Sequence, residues 1–158
     1  AKLTETLRGI TERLIIMKLS PNVSDIVSIG MSAENAGADA VSAINTVVGM
    51  SINAKTGMSD IFTTYGGLSG PAIKPIGLVA VHKLYQQLSI PIIGIGGIVS
   101  GEDAVEYMLA GATAVQVGTA NYRDPGISEN IIDSLKNILN ESNRNEAADL
   151  IGSVQTHL

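Results

Sequence analysis

Four short, predominantly apolar runs, each followed by a polar residue or a glycine, constrain the fold of this chain more than any other feature. They span residues 14–19, 38–44, 90–95 and 114–117 of a chain of 158 residues. Runs that are apolar on both faces are typical of strands in a parallel sheet covered by helices on both sides. Parallel strands need crossover connections, and helical stretches lie between the runs. The pattern therefore predicts an α/β fold.

The segments between the runs carry the signals of helix ends. Ser24 can cap a helix that Gly37 ends, and Ser100 can cap a helix that has acidic residues in its first turn and ends at Gly111. A third helix is predicted to begin between Pro71 and Pro75 and to bury Ile76, Val79, Ala80 and Leu84. A fourth, over residues 128–139, presents at helical spacing Ile131, Ile132, Leu135, Ile138 and Leu139.

The repeating unit is similar to one βα step of a (βα)8 barrel, which normally needs about 250 residues for eight steps. A chain of 158 residues is long enough for half of that barrel. We therefore expect residues 1–158 to form a single domain of parallel βα units. Residues 47–70 are rich in Gly, Ser and Thr and lack sustained periodicity, so we expect them to form an active-site lid, folded as a β-hairpin.

Charge and composition disfavour several classes of function. Ten basic residues against 15 acidic ones give a net charge of −5, which is unlike the phosphate-neutralising surface of a DNA-binding protein. No apolar stretch reaches the roughly 20 residues that cross a membrane. The chain has no cysteine, which is in keeping with a reducing, cytoplasmic compartment. His82 and His157 lack partners at metal-ligand spacing, so no metal site is expected.

Candidate ligand-binding residues lie at the carboxyl ends of the four predicted strands, where parallel α/β proteins bind their ligands. They are Lys18, Asn45, Thr46, Gly96, Gly97, Gly118 and Thr119. Glycine turns after the last two strands, followed by a helix that begins near residue 100, would bring backbone N–H groups together as a phosphate site without Lys or Arg. The alternative is that each glycine only supplies a positive φ angle to a turn.

Two further residues allow two interpretations each. Lys18 either extends to solvent or pairs with a buried anion such as a reduced flavin. Asn45 either reads a ring amide or carboxylate with its side-chain amide or is an ordinary turn residue. The glycine-rich stretch at residues 66–71 is either a hinge or a place where the backbone closely approaches a planar ligand.

Five strings, in this order and at these separations, resemble the C-terminal half of a dihydroorotate dehydrogenase, and fit the class 1B catalytic subunit best. They are Lys-Leu-Ser-Pro-Asn-Val-Ser-Asp at 18–25, Ile-Asn-Thr at 44–46, Gly-Gly-Leu-Ser-Gly-Pro-Ala-Ile-Lys-Pro at 66–75, Pro-Ile-Ile-Gly-Ile-Gly-Gly-Ile at 91–98 and Val-Gly-Thr-Ala at 117–120. The resemblance covers nearly the whole chain. It implies βα units 5–8 of a TIM-type (βα)8 barrel that binds FMN and oxidises dihydroorotate to orotate in pyrimidine biosynthesis.

The resemblance also implies roles for individual residues. By motif match, Lys18 would face the flavin ring, Ile44 and Gly70 would line it, and Asn45 and Thr46 would hold the pyrimidine substrate. The FMN phosphate would be held by Gly96, Gly97, Gly118 and Thr119.

The chain departs from the family in lacking a counterpart of the family's first four strands and of its catalytic base, a cysteine in class 1 enzymes. We therefore expect no catalytic base in this chain and expect it to be a fragment, a truncated form or one half of a split barrel. Its expected partners are an N-terminal half-barrel or second chain, a further copy in an oligomer, and the iron–sulfur flavoprotein subunit that passes electrons to NAD in class 1B. Two alternatives remain at this point: a flavin domain like that of dihydropyrimidine dehydrogenase, and a non-catalytic half-barrel that binds a phosphate ligand.

Overall fold

Four parallel strands form the main sheet in a computed structural model that describes residues 1–142, 144 and 146–155. They are β1 (Ile16–Leu19), β2 (Ala40–Ala43), β5 (Ile92–Ile95) and β6 (Ala114–Gln116), in the order β1-β2-β5-β6. One row across the sheet joins Leu19, Ala43, Gly94 and Val115. The residues that follow each strand therefore meet at one edge, and the predicted α/β class is confirmed.

Strands β3 (Val47–Gly49) and β4 (Gly66–Leu68) form a separate antiparallel pair. A bridge between Ile52 and Ser59 continues the pairing toward the tip. Residues 47–68 therefore form a β-hairpin beside the end of β2, as the sequence predicted. That the hairpin acts as a lid remains a prediction.

Helices connect the parallel strands and cover the sheet. The α-helices are α1 (Lys2–Arg8), α2 (Ile26–Asn35), α3 (Lys74–Tyr85), α4 (Gly101–Leu109), α5 (Ala120–Arg123) and α6 (Ile127–Glu141), and the 3-10 turns are Pro71–Ile73 and Ala147–Leu150. Among the described residues, no helix is long and apolar enough to cross a membrane, and no cluster of side chains is suited to hold a metal ion. His157 lies outside the described residues.

One of the two predicted helix caps is correct. The Ser100 hydroxyl accepts from the Asp103 amide, and the Asp103 carboxylate accepts from the Ser100 amide, which makes a reciprocal capping box. The expected cap at Ser24 is wrong, because α2 begins one residue later and the Asp25 carboxylate accepts from the amides of Val27 and Ser28.

The predicted buried face of α3 is rotated from the observed one. The helix buries Gly77, Ala80, Val81 and Leu84, whereas Ile76 and Val79 are 44% and 55% exposed. Position 77 faces inward and must be a glycine, because Tyr107 occupies the space that a side chain would need. The predicted helix at residues 128–139 is confirmed as α6. Of its five apolar residues, Ile132 is exposed and the other four, Ile131, Leu135, Ile138 and Leu139, are buried or partly buried.

Candidate functional site

A cleft of about 200 Å³ lies at the carboxyl ends of the parallel strands. All nine residues singled out from the sequence line it: Lys18, Ile44, Asn45, Thr46, Gly70, Gly96, Gly97, Gly118 and Thr119. They come from strand ends and loops that are up to about one hundred positions apart in the chain, so only the convergence of the strand ends brings them together.

The cleft also contains residues that the sequence analysis did not single out. These are Ser69, Ile73, Ile95, Ile98, Val99, Ala120 and Tyr122. Tyr122 carried a signal in the sequence, because it lies one helical turn after the Gly118-Thr119 turn. In the structure it is 93% exposed. Ile73 carried no such signal, since only the three-dimensional fold shows that this buried residue lines the cleft.

The two glycine turns supply backbone donors at one end of the cleft. Gly96 and Gly97 adopt φ angles of 135° and 72°, a region that L side chains rarely enter. Among the described residues, the amides of Gly97, Ile98 and Gly118 donate to no protein acceptor. Free N–H groups in a concave turn attract anions without any cationic side chain.

Close packing holds the Gly97 turn against the segment that precedes α3. A Cβ at Gly97 would lie 2.8 Å from the Gly70 carbonyl oxygen and 3.0 Å from the Lys74 amide nitrogen. Both distances are shorter than a van der Waals contact, so a side chain at Gly97 would push the two loops apart.

An ion pair between Lys74 and Asp103 also supports the Gly96-Gly97 turn. The Asp103 carboxylate accepts from Lys74 Nζ at 2.5 Å through one oxygen and from the Val99 amide at 2.8 Å through the other. Burial raises the pKa of Asp103, but Lys74 and the amides of Val99 and Ser100 outweigh burial and hold this pKa below its ordinary value. Hydrogen bonds to Asp103 and then Glu106 raise the pKa of Lys74. The turn therefore rests on a charged pair that stays ionised at neutral pH.

At the other end of the cleft, Asn45 is fixed by the backbone. Its backbone N–H donates to the Leu19 carbonyl at 2.9 Å, and its side-chain oxygen accepts from the backbone N–H of Thr46 at 2.9 Å. Since that oxygen is engaged, the side-chain nitrogen of Asn45 is the group that has no hydrogen-bond partner among the described residues. The structure thus supports the role of Asn45 as a turn residue, and its role in ligand binding remains a prediction.

The hairpin is anchored over these residues by Asn22. Its side-chain nitrogen donates to the Thr46 carbonyl, and its oxygen accepts from the Val48 amide, each at 2.9 Å. Gly67 of β4 packs on the Thr46 side chain so closely that a Cβ there would overlap the hydroxyl. The hairpin therefore rests directly on one of the candidate substrate-binding residues.

Lys18 provides the charge of the cleft. It is exposed, and it is the one charged side chain among the described residues that line the cleft. The described lining residues include no carboxylate, imidazole or thiol, so the cleft can bind and orient a ligand, and a general base of any of these three kinds must come from elsewhere.

Comparison with known proteins gives one family. The family model described as dihydroorotate dehydrogenase matches residues 1–139. Proteins named dihydroorotate dehydrogenase B (NAD(+)), catalytic subunit, are similar to the chain in Shouchella clausii (47% identity), Geobacter metallireducens (48%) and Phocaeicola vulgatus (42%). The alignments cover 96%, 96% and 98% of this chain but 50%, 50% and 51% of those proteins. The chain thus spans about half the length of the curated relatives it matches.

Proposed function

Because this chain belongs to the dihydroorotate dehydrogenase family, we propose that it supplies one half of an FMN site in which dihydroorotate is oxidised to orotate in pyrimidine biosynthesis. The observation that carries the proposal is the convergence of all nine motif residues on one cleft. A fold shared with the family would not by itself require this convergence.

The phosphate of FMN fits the glycine end of the cleft. Gly96-Gly97 and Gly118-Thr119 follow neighbouring strands, and amides of both turns are free to donate. A cleft of about 200 Å³ is smaller than a typical cofactor pocket of about 300–1,000 Å³. It therefore suits the phosphate and one edge of the flavin, with the rest of the cofactor held by other parts of the protein.

The remaining residues suit the ring and the substrate. Lys18 would place its ammonium beside the flavin ring, where it favours the negative charge of the reduced form. The Asn45 amide and Thr46 hydroxyl would hold the polar edge of the pyrimidine. FMN, when bound, supplies the hydride acceptor for the oxidation.

We propose that the base that takes the proton from dihydroorotate comes from outside this cleft, because the described lining residues include no carboxylate, imidazole or thiol. Two features indicate that further strands outside this chain could supply the base. Strands β1 and β6 each pair on one side only among the described residues, and the curated relatives are twice as long as the chain. We therefore propose that further strands pair with these two edges and bring the base. An iron–sulfur flavoprotein subunit that passes electrons to NAD is the proposed partner of the resulting catalytic subunit.

The substrate is tested by anaerobic reduction of the FMN-loaded, full-length protein. Dihydroorotate is expected to bleach the flavin absorbance near 450 nm (an approximate flavin value), whereas dihydrouracil should leave it unchanged. Bleaching by dihydrouracil alone would contradict the proposed substrate and favour a dihydropyrimidine dehydrogenase type of activity.

The cofactor site is tested with Lys18→Ala. Loss of the one cleft ammonium should weaken FMN binding by roughly tenfold, the usual effect of a charge-assisted contact. Lys83→Ala, which removes an exposed lysine of α3 outside the cleft, is the matched control and should retain wild-type binding. Equal affinity in both variants would remove Lys18 from the flavin site.

A further inference from the structure

A buried tyrosine supports the Gly96-Gly97 turn from the core side. Tyr107 of α4 is 0% exposed, and its hydroxyl donates to the Gly96 carbonyl at 2.8 Å. The bond joins a helix to the loop after β5, so it fixes the turn to the body of the fold. Nothing in the function proposed above uses this hydroxyl.

Two glycines make room for the ring. A Cβ at Gly77 of α3 would overlap the Tyr107 hydroxyl, and a Cβ at Gly94 of β5 would overlap the ring edge. Helix α3 and strand β5 both leave the space that this side chain fills. The position of the hydroxyl beneath the turn is therefore set by close packing on two sides.

The geometry of the peptide bond connects this hydroxyl to the cleft. The Gly96 carbonyl and the Gly97 N–H belong to the same peptide unit, which is trans. In a planar trans peptide the C=O and N–H bonds point in opposite directions. A carbonyl held toward Tyr107 in the core therefore directs the Gly97 N–H away from the core, to the side on which the cleft lies.

We propose that Tyr107 is a positioning residue for the phosphate end of the cleft, because its hydroxyl locks the peptide that presents the Gly97 N–H to the FMN phosphate. This inference rests on the function proposed above. Burial, followed by the charges of Asp103 and Glu106, raises the pKa of Tyr107, so the hydroxyl remains protonated and able to donate at neutral pH. The Gly97 amide itself donates to no acceptor among the described residues, which leaves it available for the phosphate.

The test compares FMN with riboflavin, which has the same ring system and lacks the phosphate. In the full-length protein, Tyr107→Phe keeps the buried ring and removes only the hydroxyl. The Kd for FMN is expected to rise about fivefold, the usual effect of one hydrogen bond, while the Kd for riboflavin changes less than about twofold. Tyr85→Phe removes the hydroxyl of a 42% exposed tyrosine outside the cleft and is the matched control.

A purely structural role for Tyr107 would change both affinities by the same factor, and that result, or no change in either, overturns the inference. Failure of the wild-type protein to bind either flavin would overturn the proposed function together with this inference. A second measurement needs no variant. Amide hydrogen exchange at Gly97 should slow at least about tenfold on FMN binding but not on riboflavin binding, and equal protection by both ligands would also overturn the inference.

Discussion

Replacing Asp103 by asparagine is expected to lower the free energy of unfolding by about 2–4 kcal/mol, because the change breaks a nearly buried ion pair. Asp103 is 7% exposed, and its carboxylate serves Lys74 and two backbone amides at once. Asparagine has almost the same size, so the effect reports the charge and the accepting oxygens rather than a cavity.

The magnitude follows from what each partner loses. Removal of one member of a buried pair typically costs about 3–5 kcal/mol. Two features reduce this figure here. Lys74 keeps a second partner, Glu106, at 2.9 Å, and the asparagine oxygen can still accept from one amide. For a chain of this size, the loss corresponds to a fall in Tm of roughly 5–15 °C.

The pH dependence has a definite sign. The pKa of Asp103 lies below its ordinary value of 3.8 in the folded protein, so the carboxylate contributes stability at pH values above 3.8. This contribution disappears as the pH falls through the lowered pKa of the folded state. The difference between wild type and Asp103→Asn should therefore be constant near pH 7 and shrink below about pH 4.

Urea unfolding of the wild type and of Asp103→Asn, at pH 7 and at a series of acidic pH values, measures the difference in their free energies of unfolding. Asp133→Asn is the matched control, because Asp133 forms a surface pair with Lys136 in which the side chains are 72% and 67% exposed. Its effect should not exceed about 0.5 kcal/mol. If Asp103→Asn behaves like the control at pH 7, or if its effect persists unchanged at pH 3, the charge of Asp103 is not the source of this stability.

Two further substitutions test opposite ends of the cleft. Gly97→Ala should weaken FMN binding by at least about tenfold, because the methyl group meets the Gly70 carbonyl and the residue must keep a positive φ angle; equilibrium titration with wild-type affinity would contradict this. Gly67→Ala should raise the Kd for orotate by roughly tenfold and leave the Kd for FMN within about twofold, because its methyl group displaces the Thr46 side chain; an equal effect on both ligands would show that the hairpin does not act on the substrate end.

The sequence was sufficient to predict the parallel strands and the residues that follow them. The reason is physical: an apolar run that ends in glycine or a polar residue marks a buried strand and its exit to the surface. Every residue chosen on that basis lines the cleft. The cap at Ser100 could also be predicted from the sequence, because Ser100 and Asp103 lie within one helical turn.

Contacts between residues far apart in the chain could not be predicted from the sequence. Asp103 lies 29 positions from Lys74, and Tyr107 bonds the carbonyl of Gly96 on a different element. No local pattern links these residues, so only packing reveals that they support the glycine turn. The rotated face of α3 has the same origin, because the requirement for a glycine at position 77 comes from Tyr107.

Native mass spectrometry of the purified full-length protein, with a visible spectrum of the same sample, shows whether the cleft is part of a flavin site. A mass increment of one FMN per catalytic chain and absorbance near 450 nm (an approximate flavin value) are expected. A colourless protein that gains neither mass nor colour after incubation with excess FMN would contradict the claim that this cleft forms half of a flavin site.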